Sequence, residues 1–145
     1  MSEKKILVVE DDPNLNGFYC KYLTKSGYKV ETAYSCEEAI DALTFHELPD
    51  VVVLDWELCD GDGVEIMSLL EEPEYQSVAV IVCSGHTFPK NYTHHADRIQ
   101  QFLLKPINPR SLSLLIKAFT GDCPQRVDGI PDFMKAPVYI LPSIR

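Results

Sequence analysis

Four short stretches of this chain are apolar at every position: Ile6–Val9, Val51–Leu54, Val78–Cys83 and Phe102–Leu104. Alternating apolar and polar residues would mark strands with one wet face. Unbroken apolar runs of this length mark strands buried on both. A fifth stretch, Tyr28–Ala33, is more mixed and predicts a strand nearer an edge. The intervening segments predict helices. Asn14–Ser26 places Leu15, Phe18, Tyr22 and Lys25 at helical spacing and ends at Gly27, a natural residue to follow a helix. Ser35 with Glu38 three residues on is a capping box for a helix through Ala39, Ile40 and Leu43. Val64–Leu70 supplies a third helix after Gly61-Asp62-Gly63, and Asn108-Pro109 opens a last one to about Phe119. His86–Arg98, with Pro89, two threonines and an Asn-Tyr pair, predicts only a short or irregular helix. Strand and helix thus alternate, as in an open parallel sheet covered on both sides.

No apolar run exceeds six residues, so no segment is long enough to span a bilayer, and the first residues lack the apolar stretch of a signal peptide. The expectation is a cytoplasmic protein without membrane insertion. Thirteen basic residues stand against twenty-two acidic ones, a net charge of −9, which argues against direct nucleic-acid binding through a broad electrostatic footprint. Five cysteines (Cys20, Cys36, Cys59, Cys83 and Cys123) include no C-x-x-C pair, so reduced thiols are expected, and no zinc.

In an open parallel sheet the strand C-termini share one rim, and ligands bind there. The residues just past the four apolar runs are Glu10-Asp11-Asp12, Asp55, Ser84 and Lys105-Pro106. Acids, a hydroxyl and an ammonium thus converge from four separated segments. Like-charged carboxylates about 4 Å apart repel by about 4 kcal/mol at an effective dielectric of 20. One lysine cannot neutralise Glu10, Asp11 and Asp55. A hard cation with oxygen ligands would, and Mg²⁺ with retained waters suits that set. A carboxylate oxygen beside such a cation could attack an electrophilic phosphorus. Asp12 reads instead as a helix-start charge.

The runs Ile6-Leu7-Val8-Val9-Glu10-Asp11-Asp12-Pro13, Asp50-Val51-Val52-Val53-Leu54-Asp55-Trp56, Asp62-Gly63, Ser84-Gly85 and Phe102-Leu103-Leu104-Lys105-Pro106 together resemble the response-regulator receiver domain of two-component signalling, in order and spacing. The resemblance covers residues 4 to about 119. It implies a flavodoxin-like, doubly wound five-stranded parallel sheet of order 2-1-3-4-5 with helices on both faces. It implies a phosphorylation-controlled switch, not an enzyme acting on other substrates, that catalyses only its own phosphotransfer and dephosphorylation. Asp55 would be the phosphoacceptor, served by a sensor histidine kinase or phosphotransfer protein. Glu10, Asp11, Asp55 and the main-chain carbonyl of Glu57 would hold Mg²⁺. Ser84 and Lys105 would bind phosphoryl oxygens, and Ser84 and Phe102 would form the switch pair. Glu57 and His86 would tune the dephosphorylation rate, and the Lys105-Pro106 bond would be cis. Cys59 stands where the family usually has proline, which predicts a less rigid loop after Asp55.

Other readings carry specific signals. An aspartyl-phosphate phosphohydrolase would use Asp55 as nucleophile and Glu57 as acid–base, but the chain leaves no residues for a cap. A flavodoxin-type electron carrier would place a flavin phosphate against an acidic first loop, which would repel it. His86, His94 and His95 with Cys83 fit no metal-ligand spacing and read as a solvated loop. Residues 120–145 form a separate tail with Pro124, Pro131, Pro137 and Pro142 among apolar residues. The prolines forbid a long helix. The tail is expected to pack in cis or on a partner subunit of a homodimer. It is too short for a winged-helix effector, so the chain reads as a receiver without its own output or as a receiver fragment of a longer regulator.

Overall fold

The computed structural model describes residues 3–87 and 91–121. The chain runs β1 (Lys5–Val9), α1 (Pro13–Lys25), β2 (Lys29–Ala33), α2 (Cys36–Phe45), β3 (Val51–Asp55), a hairpin of β4 (Glu57–Leu58) and β5 (Gly61–Asp62), and α3 (Val64–Leu70). A 3₁₀ turn at Pro73–Tyr75 leads to β6 (Ala79–Ser84), a second 3₁₀ segment at Thr93–Arg98, β7 (Gln101–Leu104) and α4 (Pro109–Thr120). Five strands form a parallel sheet in the order β2-β1-β3-β6-β7. Counting only those strands, this is the expected order 2-1-3-4-5, with the mixed strand at an edge.

The unbroken apolar runs are explained by two separate cores. Leu7, Val9, Val52, Leu54, Val80 and Val82 face α2 and α3, whereas Ile6, Val8, Val51, Val53, Ile81 and Cys83 face α1 and α4. Successive strand residues point to opposite faces, so a strand between two cores must be apolar throughout.

The capping predictions hold, with one amendment. Ser35 Oγ accepts from the Glu38 N–H, but the Glu38 carboxylate reaches the N–H of Tyr34, one residue before the expected partner. Asn108 accepts from the N–H groups of Arg110 and Ser111, and Gly121 closes α4 in the left-handed region at φ 79°. The face expected for α1 is corrected. Its buried residues are Asn16, Tyr19 and Leu23, while Phe18 is 53% exposed and Lys25 is exposed. Asn16 sits fully buried because its amide donates to the Glu10 and Ala33 carbonyls, which tie the end of β1 to the end of β2.

The irregular segment holds a short 3₁₀ helix, as expected, and His86 and His94 are exposed, but two of its side chains anchor it to the body of the fold. Arg98 donates to the carbonyls of Leu70, Tyr75 and Val78. The His95 side chain is only 11% exposed and meets Glu71 Oε2 at 2.6 Å beside the Trp56 ring, which corrects the loop reading for that histidine. No helix among the described residues is long and apolar enough to cross a membrane. Cys20, Cys36, Cys59 and Cys83 are free, and burial pushes the Cys36 and Cys83 thiols up to about 12. Residues 122–145, hence the tail's packing and Cys123, lie outside the described residues.

Candidate functional site

Three strand ends and the turn after a fourth build the site. β1 delivers Glu10 and Asp11 one and two residues past its end, and β3 ends on Asp55 itself. Asp55 pairs in register with Cys83, so Ser84 stands one residue further along β6. Lys105 follows β7, its N–H bonded to the Ser84 carbonyl at 2.7 Å, and its bond to Pro106 is cis as expected.

One carboxylate oxygen from each of Glu10, Asp11 and Asp55 lies within 4.8 Å of the others. The Lys105 ammonium reaches across them, 2.8 Å from Glu10 Oε1 and 3.1 Å from Asp55 Oδ2. Glu10 and Asp55 side chains are each only 4% exposed. Burial, then the Glu10 charge, pushes the Asp55 carboxyl up to about 7, with Lys105 offsetting part of the rise. Burial and Glu10 also raise Asp11. Burial would lower Lys105, but the Glu10 hydrogen bond and the Asp55 charge outweigh it and hold the ammonium above its ordinary value. These are hard oxygen donors carrying more negative charge than one ammonium balances, a set that fits Mg²⁺.

Asp12 does not join the cluster: its carboxylate caps α1 through Asn14 and Leu15, as expected of a helix-start acid. The loop after Asp55 is held without a proline. Its hairpin is tied to α2 by Asp60, which accepts from the Cys36 and Glu37 N–H groups, and by the Cys36 thiol against the Asp62 carbonyl. Cys59 itself is exposed.

Ser84 is fully buried and its hydroxyl donates to Glu57 Oε2 at 2.6 Å, while the Gly85 N–H donates to Glu57 Oε1 at 3.3 Å. The Glu57 N–H donates to Asp55 Oδ1. His86 is brought in only by its main chain, its N–H donating to Ser84 Oγ, and its side chain is exposed. Phe102 points inward at 2% exposure, edge-on to Tyr92, whose ring is edge-on to Trp56. Trp56 is fully buried.

Two participants were missed from sequence. Tyr92 lay in a segment poor in helix formers, and only its aromatic character hinted at burial. The Gly61-Asp62-Gly63 sequence marks only a turn, yet a Cβ at Gly63 would lie 2.7 Å from the Trp56 ring, so the indole demands glycine.

Residues 6–117 match the sequence profile of the response regulator receiver domain. The phosphate regulon transcriptional regulatory protein PhoB of Klebsiella pneumoniae is 26% identical over 117 residues, 79% of this chain and 51% of that protein. The alkaline phosphatase synthesis transcriptional regulatory protein PhoP of Bacillus subtilis is 32% identical over 118 residues, 79% of this chain and 48% of that protein. The chain spans about half the length of these curated relatives. A CheY-like response regulator receiver domain protein from Methanospirillum hungatei superposes with a TM-score of 0.76 at 24% identity, covering 83% of this chain and 96% of that one, which shows the shared fold.

Proposed function

From a chain that belongs to the response regulator receiver domain family, and is therefore the receiver of a two-component phosphorylation-controlled switch, we propose the following assignment of roles. Asp55 accepts the phosphoryl group. The observation that carries this is the buried Asp55 carboxylate, bridged to Glu10 by Lys105 and within 4.8 Å of Asp11. Glu10, Asp11, Asp55 and the Glu57 carbonyl would hold Mg²⁺, which would neutralise the acids and the incoming phosphoryl oxygens. Lys105 orients Asp55 Oδ2 and the Glu57 N–H orients Oδ1, so the carboxylate is fixed before reaction. An Asp55 oxygen attacks phosphorus in line as the bond to the donor nitrogen of a histidine kinase or phosphotransfer protein breaks. Ser84 and Lys105 then hold phosphoryl oxygens, and Ser84 with Phe102 reports the new state. Glu57 and His86 set how fast water reverses the reaction, the chain's other self-catalysed step. The site works in the cytoplasm, where such donors are found.

Incubation with acetyl phosphate or phosphoramidate and Mg²⁺ should add one phosphoryl group by intact mass. Asp55→Asn or chelator should abolish it. Undiminished labelling of Asp55→Asn refutes the assignment.

A further inference from the structure

Glu57 is held in place from three sides. It belongs to β4, whose hairpin pairs it with Asp62. The neighbouring Leu58 is buried in the core, and the Glu57 N–H is fixed on Asp55. Its carboxylate accepts from both donors at the end of β6, the Ser84 hydroxyl and the Gly85 N–H. These are the groups that face the end of β3, because Asp55 and Cys83 are paired. An anion therefore already sits on the donors that a tetrahedral anion on Asp55 would use.

We propose that Glu57 is an internal competitor for the phosphoryl subsite: its carboxylate occupies Ser84 and Gly85 in the unmodified protein and must swing away when Asp55 becomes phosphorylated. This rests on the phosphoacceptor reading and deepens it, because Glu57 then governs formation of the modified state and not only its decay. A carboxylate taking charge-assisted bonds from two donors is a strong occupant. A phosphoryl group arriving on Asp55 meets both those occupied donors and a second negative charge. Displacing the Glu57 carboxylate therefore places a fixed cost on phosphorylation, whichever donor supplies the group.

Beryllofluoride, a tetrahedral phosphoryl mimic that binds a carboxylate oxygen, tests this without turnover. Binding in saturating Mg²⁺ would be followed by Trp56 fluorescence and by the Gly85 amide resonance. Glu57→Ala should bind about tenfold more tightly than the parent, the loss of one charge-assisted competitor. The Gly85 amide should shift upfield in the free variant, having lost its carboxylate acceptor. Glu57→Gln, which keeps an acceptor but no charge, should fall between. Ser84→Ala should weaken binding less in the parent than in Glu57→Ala, because in the parent it also removes the competitor's anchor. Equal or weaker binding by a natively folded Glu57→Ala, or by Glu57→Gln should the alanine variant not fold, overturns the proposal, as does an equal Ser84→Ala effect in both backgrounds. A parent that binds no beryllofluoride, or an Asp55→Asn variant that binds as well as the parent, overturns the phosphoacceptor reading and the competitor with it.

Discussion

Asp55→Asn should make the fold more stable, and by an amount that grows with pH. The folded carboxyl is raised from an ordinary 3.8 to about 7 by burial and by the Glu10 charge. Between those two values the folded state binds a proton that the unfolded state has released, so stability falls as pH rises through the window. The penalty is absent below about 4 and complete above about 7. Each unit is worth about 1.4 kcal/mol, so the two units between pH 5 and pH 7 correspond to about 2–3 kcal/mol. Asparagine keeps the shape of the side chain but cannot ionise. Its substitution also takes one anion from Lys105, which retains Glu10 at 2.8 Å. That offset varies little with pH, so the change in the difference between the two proteins isolates the Asp55 charge. Urea unfolding with chelator at pH 5, 6, 7 and 8, followed by Trp56 fluorescence, should show the Asn variant's advantage widening by about 2–3 kcal/mol and levelling off above pH 7. A difference that stays flat across that range would refute the claim that burial and Glu10 strain the Asp55 charge.

Saturating Mg²⁺ should stabilise the parent, by about 2.7 kcal/mol at a hundred times its dissociation constant, and much less in Asp11→Asn or Asp55→Asn. Thermal melts with and without chelator check this. Gly63→Ala should cost about 1–3 kcal/mol through collision of the new methyl with the Trp56 ring, read as a lower urea midpoint with a shifted tryptophan emission. Arg98→Met keeps the side-chain stem but strips three carbonyls of their donor, and should cost about 3 kcal/mol. Hydrogen exchange should then accelerate in residues 70–78 before the sheet is affected.

The strands were legible because each central one had to satisfy two cores at once, and that demand leaves a mark on every residue. The rim was legible for a related reason: charges directly after apolar runs fall where the strands end. Helix α1 was harder. Its buried stripe includes Asn16, a polar residue whose burial is justified by the Glu10 and Ala33 carbonyls, both outside the helix and one of them seventeen residues away. Hydropathy therefore pointed to Phe18 and Tyr22. The burial of His95 is hidden from local pattern in the same way, since its Glu71 partner and the Trp56 ring come from other segments. At the site, residue types and order marked Glu10, Asp11, Asp55, Ser84 and Lys105, but nothing local showed that the Glu57 side chain would turn onto Ser84. That contact depends on a two-residue hairpin whose tie to α2 through Asp60 cannot be read from spacing.

The two-sided sheet also restricts how this chain can change in length. In β3, Val51 and Val53 serve one core, Val52 and Leu54 the other, and Asp55 comes next at the rim. Losing one residue reverses the parity of the strand, exchanging the side chains offered to α1 and α4 with those offered to α2 and α3. Losing two restores parity but draws the carboxylate back along the sheet by about 7 Å, more than twice its present 3.1 Å separation from the Lys105 ammonium. Odd changes scramble the interior and even ones misplace the nucleophile. Substitution is thus the only route by which this strand can vary while Asp55 stays in reach of its partners.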